Sequence, residues 1–330
     1  MLPSGGDLLN IFYDEPKGDR WLPWDRYPRA LVRRIVRGKP RPGGHRRVFL
    51  NLCEGLNALQ IPYRVNDYAF ARRNPNALAC IVGKPTVLEK MEWRNPILLG
   101  SSIYSHPIDH PDFLTRFPIK KVLVPGGWLK DMFSLSWGEI VESWPVGIHT
   151  DLWAPSAASH KTIDVLLYDK IFWHRQEREP NFLEPIRQTL RSQNRSFVEL
   201  RYGFYKEEDF RKLLAASRAM VFISEHESQG IAYQQALSCG VPIFAWDSGG
   251  PWNDPAYYPH RVVYGPVTSV PYWDERCGMK FASEEGFRLG WNSFWDGVIS
   301  KRFRPRDYIL ENLTLERCTK QYVQFARALI

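Results

Sequence analysis

Residues 220–250 read Met220-Val-Phe-Ile-Ser-Glu-His-Glu-Ser-Gln-Gly-Ile-Ala-Tyr-Gln-Gln-Ala-Leu-Ser-Cys-Gly-Val-Pro-Ile-Phe-Ala-Trp-Asp-Ser-Gly-Gly250, a strand, loop, helix and strand in succession. Residues 220–223 form a short apolar run of the kind buried on both faces of a parallel sheet. Residues 224–229 are polar, and Gly230 opens a helix on which Ile231, Ala232, Ala236 and Leu237 share one side. Gly240 is a natural helix terminator, and 241–245 form the next buried strand. In such a unit the loop after the first strand and the helix N-terminus face the ligand crevice, where free backbone N–H groups receive negative charge. Glu227 and Gln235 flank that helix start. A plain buried strand–helix–strand with glutamates capping the helix would spell the same letters, so the rest of the chain has to decide.

Working outward, the same alternation recurs. Apolar runs at 8–13, 61–65, 77–82, 96–100, 121–124, 162–168 and 196–200 are separated by polar or helical segments, including a helix with Val48, Phe49, Leu52, Leu56 and Leu59 at helical spacing and another at 206–217. Strand and helix in repeated succession predict an α/β fold with doubly wound parallel sheets. The chain has 330 residues, 44% of them hydrophobic, enough for roughly two domains of ~150 residues each. The proline- and glycine-bearing stretch 145–155 places the boundary near 155, giving an N-terminal domain over 1–155 and a C-terminal one over 156–314. Beyond 260 the alternation is less legible, and 266–280 matches no pattern. A helix over 315–329 reads as a tail that crosses back to the first domain.

The unit at 220–250 resembles the nucleotide-sugar signature of retaining GT-B glycosyltransferases, in particular glycosyltransferase family 4 (glycosyl transferases group 1). Those enzymes carry a glutamate, seven residues and a second glutamate, with a glycine three after the first and a small-residue-Cys/Gly-Gly-x-Pro ending. Glu227 takes the first position and Gly230 the glycine, and Ala236, Cys239, Gly240, Val241 and Pro242 follow in step. Gln235 stands where the family has its second glutamate; an amide still accepts a hydrogen bond from a ribose hydroxyl but lacks the charge. Gly147, Ile148, Thr150, Trp153 and Pro155 keep the family's interdomain crossing pattern, with His149 in place of the usual aspartate. Lys170 and Arg175 resemble its Arg, four residues, Lys pair with identities exchanged, and an arginine fork is not the geometric equivalent of a lysine point charge. Gly43 and Gly44 look like its glycine-rich turn, and Asp247-Ser-Gly-Gly like its turn against the phosphates.

The resemblance implies a GT-B fold, two Rossmann-like domains facing an interdomain cleft. It implies transfer, with retention of anomeric configuration, from a nucleotide sugar on the C-terminal domain to a hydroxyl acceptor on the N-terminal one. UDP- and GDP-sugars are the expected donors, and a glycan, a lipid-linked sugar or another hydroxyl compound the expected acceptor. In this scheme Glu227 binds hydroxyls of the transferred sugar, and Ser228, Gln229, Gly230 and Ile231 form the donor loop. Gln235 holds the ribose, and Lys170 and Arg175 neutralise the diphosphate. His106, among the polar residues after the run at 96–100, is the candidate near the transferred sugar, although a hydrogen-bonded structural histidine reads equally well there. No Asp-x-Asp motif occurs, so neither a metal nor a resident cofactor is expected. Two other readings stay open: a nucleotide-sugar epimerase of GT-B type, and a basic module that binds or glycosylates nucleic acid. A nicotinamide-dependent oxidoreductase is disfavoured, since no Gly-x-Gly-x-x-Gly follows the first strand.

Net charge is +8, and much of it lies between Arg26 and Arg47. A solvated basic face explains this, as does attraction to an acidic acceptor, to anionic lipid headgroups or, less favoured, to nucleic acid. Trp21 and Trp24 just upstream would suit an interfacial anchor over 21–47, or could sit under a loop. Five scattered cysteines without a Cys-x-x-Cys pair predict free thiols in a reducing cytoplasm, so the expected setting is cytoplasmic, with peripheral attachment to the inner membrane face as a variant.

Overall fold

The computed structural model describes residues 8–14, 44–101, 104–156 and 160–330. Gly43 and most of the basic segment 21–47 lie outside the described residues. Two compact units make up the chain: Met1–Pro125, Phe133–Val146 and Cys318–Ile330 form the first, and Gly126–Met132 and Gly147–Arg317 the second.

Apolar runs buried on both faces require helices on both faces, and each unit supplies them around a parallel sheet. The first unit has six strands: β1 (Leu9–Phe12), β2 (Tyr63–Val65), β3 (Ala79–Ile81), β4 (Ile97–Gly100), β5 (Ile119–Val124) and β6 (Val141–Ser143). They run in the order β2-β1-β3-β4-β5-β6, all parallel. Helix Gly44–Ala58 turns Val48, Leu52 and Leu56 inward, the spacing expected of one helical face. Gly44 itself is exposed at its start, with open space around it. The last helix, Leu315–Arg327, belongs to this unit from Cys318 onward. There the indole of Trp144 donates to the Cys318 carbonyl at 2.8 Å and lies 4.8 Å from the ring of the fully buried Tyr322.

The second unit has β7 (Ile163–Lys170), β8 (Phe197–Arg201), β9 (Ser217–Ser224), β10 (Ile243–Trp246) and β11 (Gly278–Phe281) in the order β11-β10-β9-β7-β8, again all parallel. Its core includes an aromatic cluster in which Phe244 lies 4.7 Å from Phe281, 5.2 Å from Phe287 and 5.0 Å from Phe294. Helix Glu284–Ile299 supplies Phe287 and Phe294 and is started by the Ser283 hydroxyl, which accepts the Gly286 amide at 3.1 Å. Counted from its own first strand, each sheet runs second, first, third, fourth, fifth. The chain therefore reverses its winding between β1 and β3 in one unit and between β7 and β9 in the other. Crevices at the carboxyl ends of such strand pairs are where open α/β sheets bind ligands.

No helix among the described residues is long and apolar enough to cross a membrane.

Candidate functional site

Lys170 ends β7 and Ser224 ends β9, and the two are register partners across the switch point of the second unit. Three residues beyond Ser224, Glu227 turns back, and its Oε1 lies 2.6 Å from the Lys170 Nζ. The Ser224 hydroxyl donates to the same oxygen at 3.2 Å. Both partners are largely withdrawn from water, with side-chain exposures of 15% for Lys170 and 8% for Glu227, so each charge depends on the other. The Lys170 ammonium also sits 4.7 Å from the centroid of the Tyr202 ring.

The backbone of Glu227 is fixed independently of its carboxylate. Its amide donates to the Thr268 carbonyl at 3.0 Å, and its carbonyl accepts from the Trp128 indole at 2.8 Å. Thr268 and Ser269 are held in turn by Asp247, which accepts the Thr268 hydroxyl at 2.9 Å, the Ser269 amide at 2.8 Å and the Lys280 ammonium at 2.9 Å. Asp247, read from the sequence as part of a turn against phosphates, here organises the segment behind Glu227.

Gly230 explains why the helix begins where it does. Its φ of +72° lies in the left-handed region, and a Cβ there would run into the Tyr233 ring. Helix Ile231–Ser238 follows, with Gln234 and Gln235 both buried. Gln229 and Gln234 clamp the turn: Gln234 Nε2 donates to the Gln229 carbonyl at 2.6 Å, and Gln229 Nε2 donates to Gln234 Oε1 at 3.2 Å. Ser228 is exposed and Ile231 partly so, leaving the loop edge and the first turn accessible.

The second expected cation is engaged elsewhere. Arg175 grips Asp169 with two hydrogen bonds of 3.1 and 2.6 Å and reaches Glu179 at 2.7 Å. The Asp169 carboxylate raises the Arg175 guanidinium above its already high range. A neighbouring pair, absent from the sequence reading, ties the two loops of the site together. Glu225, with its side chain 3% exposed, accepts from Arg178 at 2.9 Å and from the amides of Phe172 and Trp173 at 3.2 and 3.1 Å. Trp173 stacks on His226 at 5.1 Å while Trp128 meets that ring edge-on at 5.4 Å. Burial, and then the nearby Lys170, lower the His226 pKa from 6.5 to about 4, so the imidazole is neutral at ordinary pH. Two acidic residues flanking a histidine directly after a buried strand are the signal for this layer, since such carboxylates demand partners.

His106 and Gly44 belong to the first unit. There the His106 Nδ1 accepts the Ile108 amide at 3.0 Å and starts the short turn Pro107–Asp109. Among the described residues no group of three or more His, Cys, Asp or Glu side chains is placed to hold a metal ion.

No protein-family model matches the chain, and no curated protein matches it at a significant level. Solved structures match its fold. AviGT4, a glycosyltransferase involved in Avilamycin A biosynthesis, aligns at a TM-score of 0.53 and 12% identity, over 97% of this chain and 98% of that one. The N-terminal domain of Candida albicans trehalose-6-phosphate phosphatase aligns at 0.55 and 10% identity, over 100% and 98% of the two chains. WaaG, a glycosyltransferase involved in lipopolysaccharide biosynthesis, aligns at 0.51 and 12% identity, over 87% and 97%. At such identities the likeness is one of fold, and with two all-parallel α/β sheets that fold is the GT-B architecture of glycosyltransferases.

Proposed function

We propose that the second unit binds a nucleotide sugar and that the chain transfers the sugar to a hydroxyl acceptor. The observation that carries this reading is the Lys170–Glu227 pair at the β7/β9 switch point, directly before the left-handed Gly230 and a buried helix. The chemistry needs that set. A nucleoside diphosphate builds up negative charge as the glycosidic bond breaks, and a fixed ammonium with helix-end amides stabilises it. Glu227 accepts hydrogen bonds from the hydroxyls of the transferred sugar, and Gln235 receives the ribose. The amides of Gly230 and Ile231 face the phosphates beside Lys170. Arg175 reaches the diphosphate only by sharing or leaving its carboxylate partners, so its share in donor binding is smaller than that of Lys170.

Retention of configuration, independence from metal, a UDP- or GDP-sugar as donor and a glycan or lipid-linked acceptor complete the proposal. His106, which lies in the first unit, keeps its assignment as the candidate residue near the transferred sugar. A cytoplasmic setting, with segment 21–47 on an anionic membrane surface, is the corresponding proposal for location.

The test is a thermal-shift panel of UDP-, GDP-, ADP- and TDP-sugars. A donor present at a hundredfold its Kd stabilises the fold by about 2.7 kcal/mol, a shift of several degrees. Lys170→Ala should lose that shift, and Lys170→Ala and Glu227→Ala should both lose donor turnover. A panel without any stabilising nucleotide sugar, or normal turnover in either variant, refutes the assignment.

A further inference from the structure

We infer that Glu227 is an internal competitor of the nucleoside diphosphate product, reclaiming Lys170 once the sugar has gone and so weakening the hold on what remains. The inference rests on the donor-site reading above and adds the order in which the site releases its contents. The Lys170 ammonium already has an anion within the protein, the Glu227 carboxylate at 2.6 Å. Glu227 stays close to Lys170, because its backbone is anchored by Thr268 and Trp128 and the Ser224 hydroxyl donates to the same carboxylate oxygen at 3.2 Å. The other acids nearby are engaged: Glu225 by Arg178 and two backbone amides, Asp169 by Arg175 and the Ile171 amide. Any diphosphate reaching Lys170 therefore meets a second negative charge that stays in place.

With the sugar attached, this arrangement is favourable. Sugar hydroxyls donate to Glu227 and replace what it loses when Lys170 turns to the phosphates. Once the sugar has been transferred, the hydroxyls leave with it. Carboxylate and diphosphate then face each other across one ammonium, in surroundings too dry to screen them. The site thus discriminates between a nucleotide sugar and the bare nucleotide by the partner that Glu227 has or lacks.

Isothermal titration calorimetry with UDP, GDP and inorganic pyrophosphate, on the wild type and on Glu227→Gln, tests this. The variant should bind the matching nucleoside diphosphate about tenfold more tightly or better, and the matching nucleotide sugar with no gain. Pyrophosphate should gain in parallel, since the effect acts on the phosphates. Glu227→Ala is measured alongside, so that a folding defect in one variant, seen by circular dichroism, leaves the other to decide. The wild type gives a third reading: it should bind the nucleotide sugar more tightly than the bare nucleotide. Unchanged or weaker diphosphate binding in the folded variants, or the reverse order in the wild type, overturns the inference. Absence of any nucleotide binding to the wild type removes the donor-site reading and this inference with it. Nucleotide binding that is indifferent to Glu227 removes this inference alone.

Discussion

Replacing Gly230 by alanine tests the geometry on which the site depends. The residue sits at φ +72°, where an L side chain costs about 1–2 kcal/mol. The added methyl also lands on the edge of the Tyr233 ring. That ring has no room to retreat: Tyr233 is fully buried, lies 5.6 Å from Phe222, and its hydroxyl donates to the Tyr272 carbonyl at 3.1 Å while accepting the Tyr272 amide at 3.0 Å. Overpacking of this kind costs a further ~1–3 kcal/mol, so the whole loss is about 2–5 kcal/mol. Urea unfolding followed by tryptophan fluorescence measures it, with the two units fitted as separate transitions. Gly127→Ala is the control, because a Cβ there meets nothing within 4 Å and its φ is not left-handed. The reasoning is refuted if Gly230→Ala unfolds within ~0.5 kcal/mol of the wild type. It is equally refuted if Gly127→Ala loses as much.

Two further outcomes are expected. Trp144→Phe should destabilise the first unit by about 2–4 kcal/mol, because it leaves a buried space and removes the indole's hydrogen bond to the Cys318 carbonyl; thermal unfolding unchanged from the wild type would refute this. His226 gives a pH dependence of definite sign: its folded pKa of about 4 lies below the ordinary 6.5, so between these values the unfolded chain binds a proton that the folded chain refuses. Stability attributable to this group is complete above pH 6.5 and falls as the pH drops toward 4, by up to about 3 kcal/mol. His226→Phe should flatten that part of the melting-temperature profile, and an unaltered slope would assign it to other groups.

The strands that declare themselves in the sequence are the ones buried on both faces. Residues 220–223, 97–100 and 121–124 have no polar residue to interrupt them apart from Lys121, and each lies within a strand. β11 is hidden because Gly278 and Lys280 break its apolar run; Gly278 is required where a Cβ would strike the Ile243 backbone, and Lys280 reaches Asp247. Helix Glu284–Ile299 is obscured by three glycines among its aromatic residues, one of them, Gly290, lying close against the Phe244 ring. At the candidate site, Glu227, Lys170, Gly230 and Gln235 stand out in the sequence because their spacing resembles a glycosyltransferase signature. The engagement of Arg175 by Asp169 and Glu179 cannot be read that way, since a cation's choice among nearby carboxylates depends on which rotamer reaches which oxygen. Glu225 and Arg178 are 47 residues apart and meet only because β7 and β9 are neighbours.

The first sheet is closed by residues from the far end of the sequence. Tyr322 is fully buried with its ring against Trp144, and the Cys318 carbonyl receives the Trp144 indole. During synthesis, then, the strands made first must wait for nearly everything else to emerge, while residues Gly147–Arg317 are already available to fold. A ribosome stalled before residue 318 would leave these strands without the last of their cover, and a chaperone would find its substrate in segments made well before the stall.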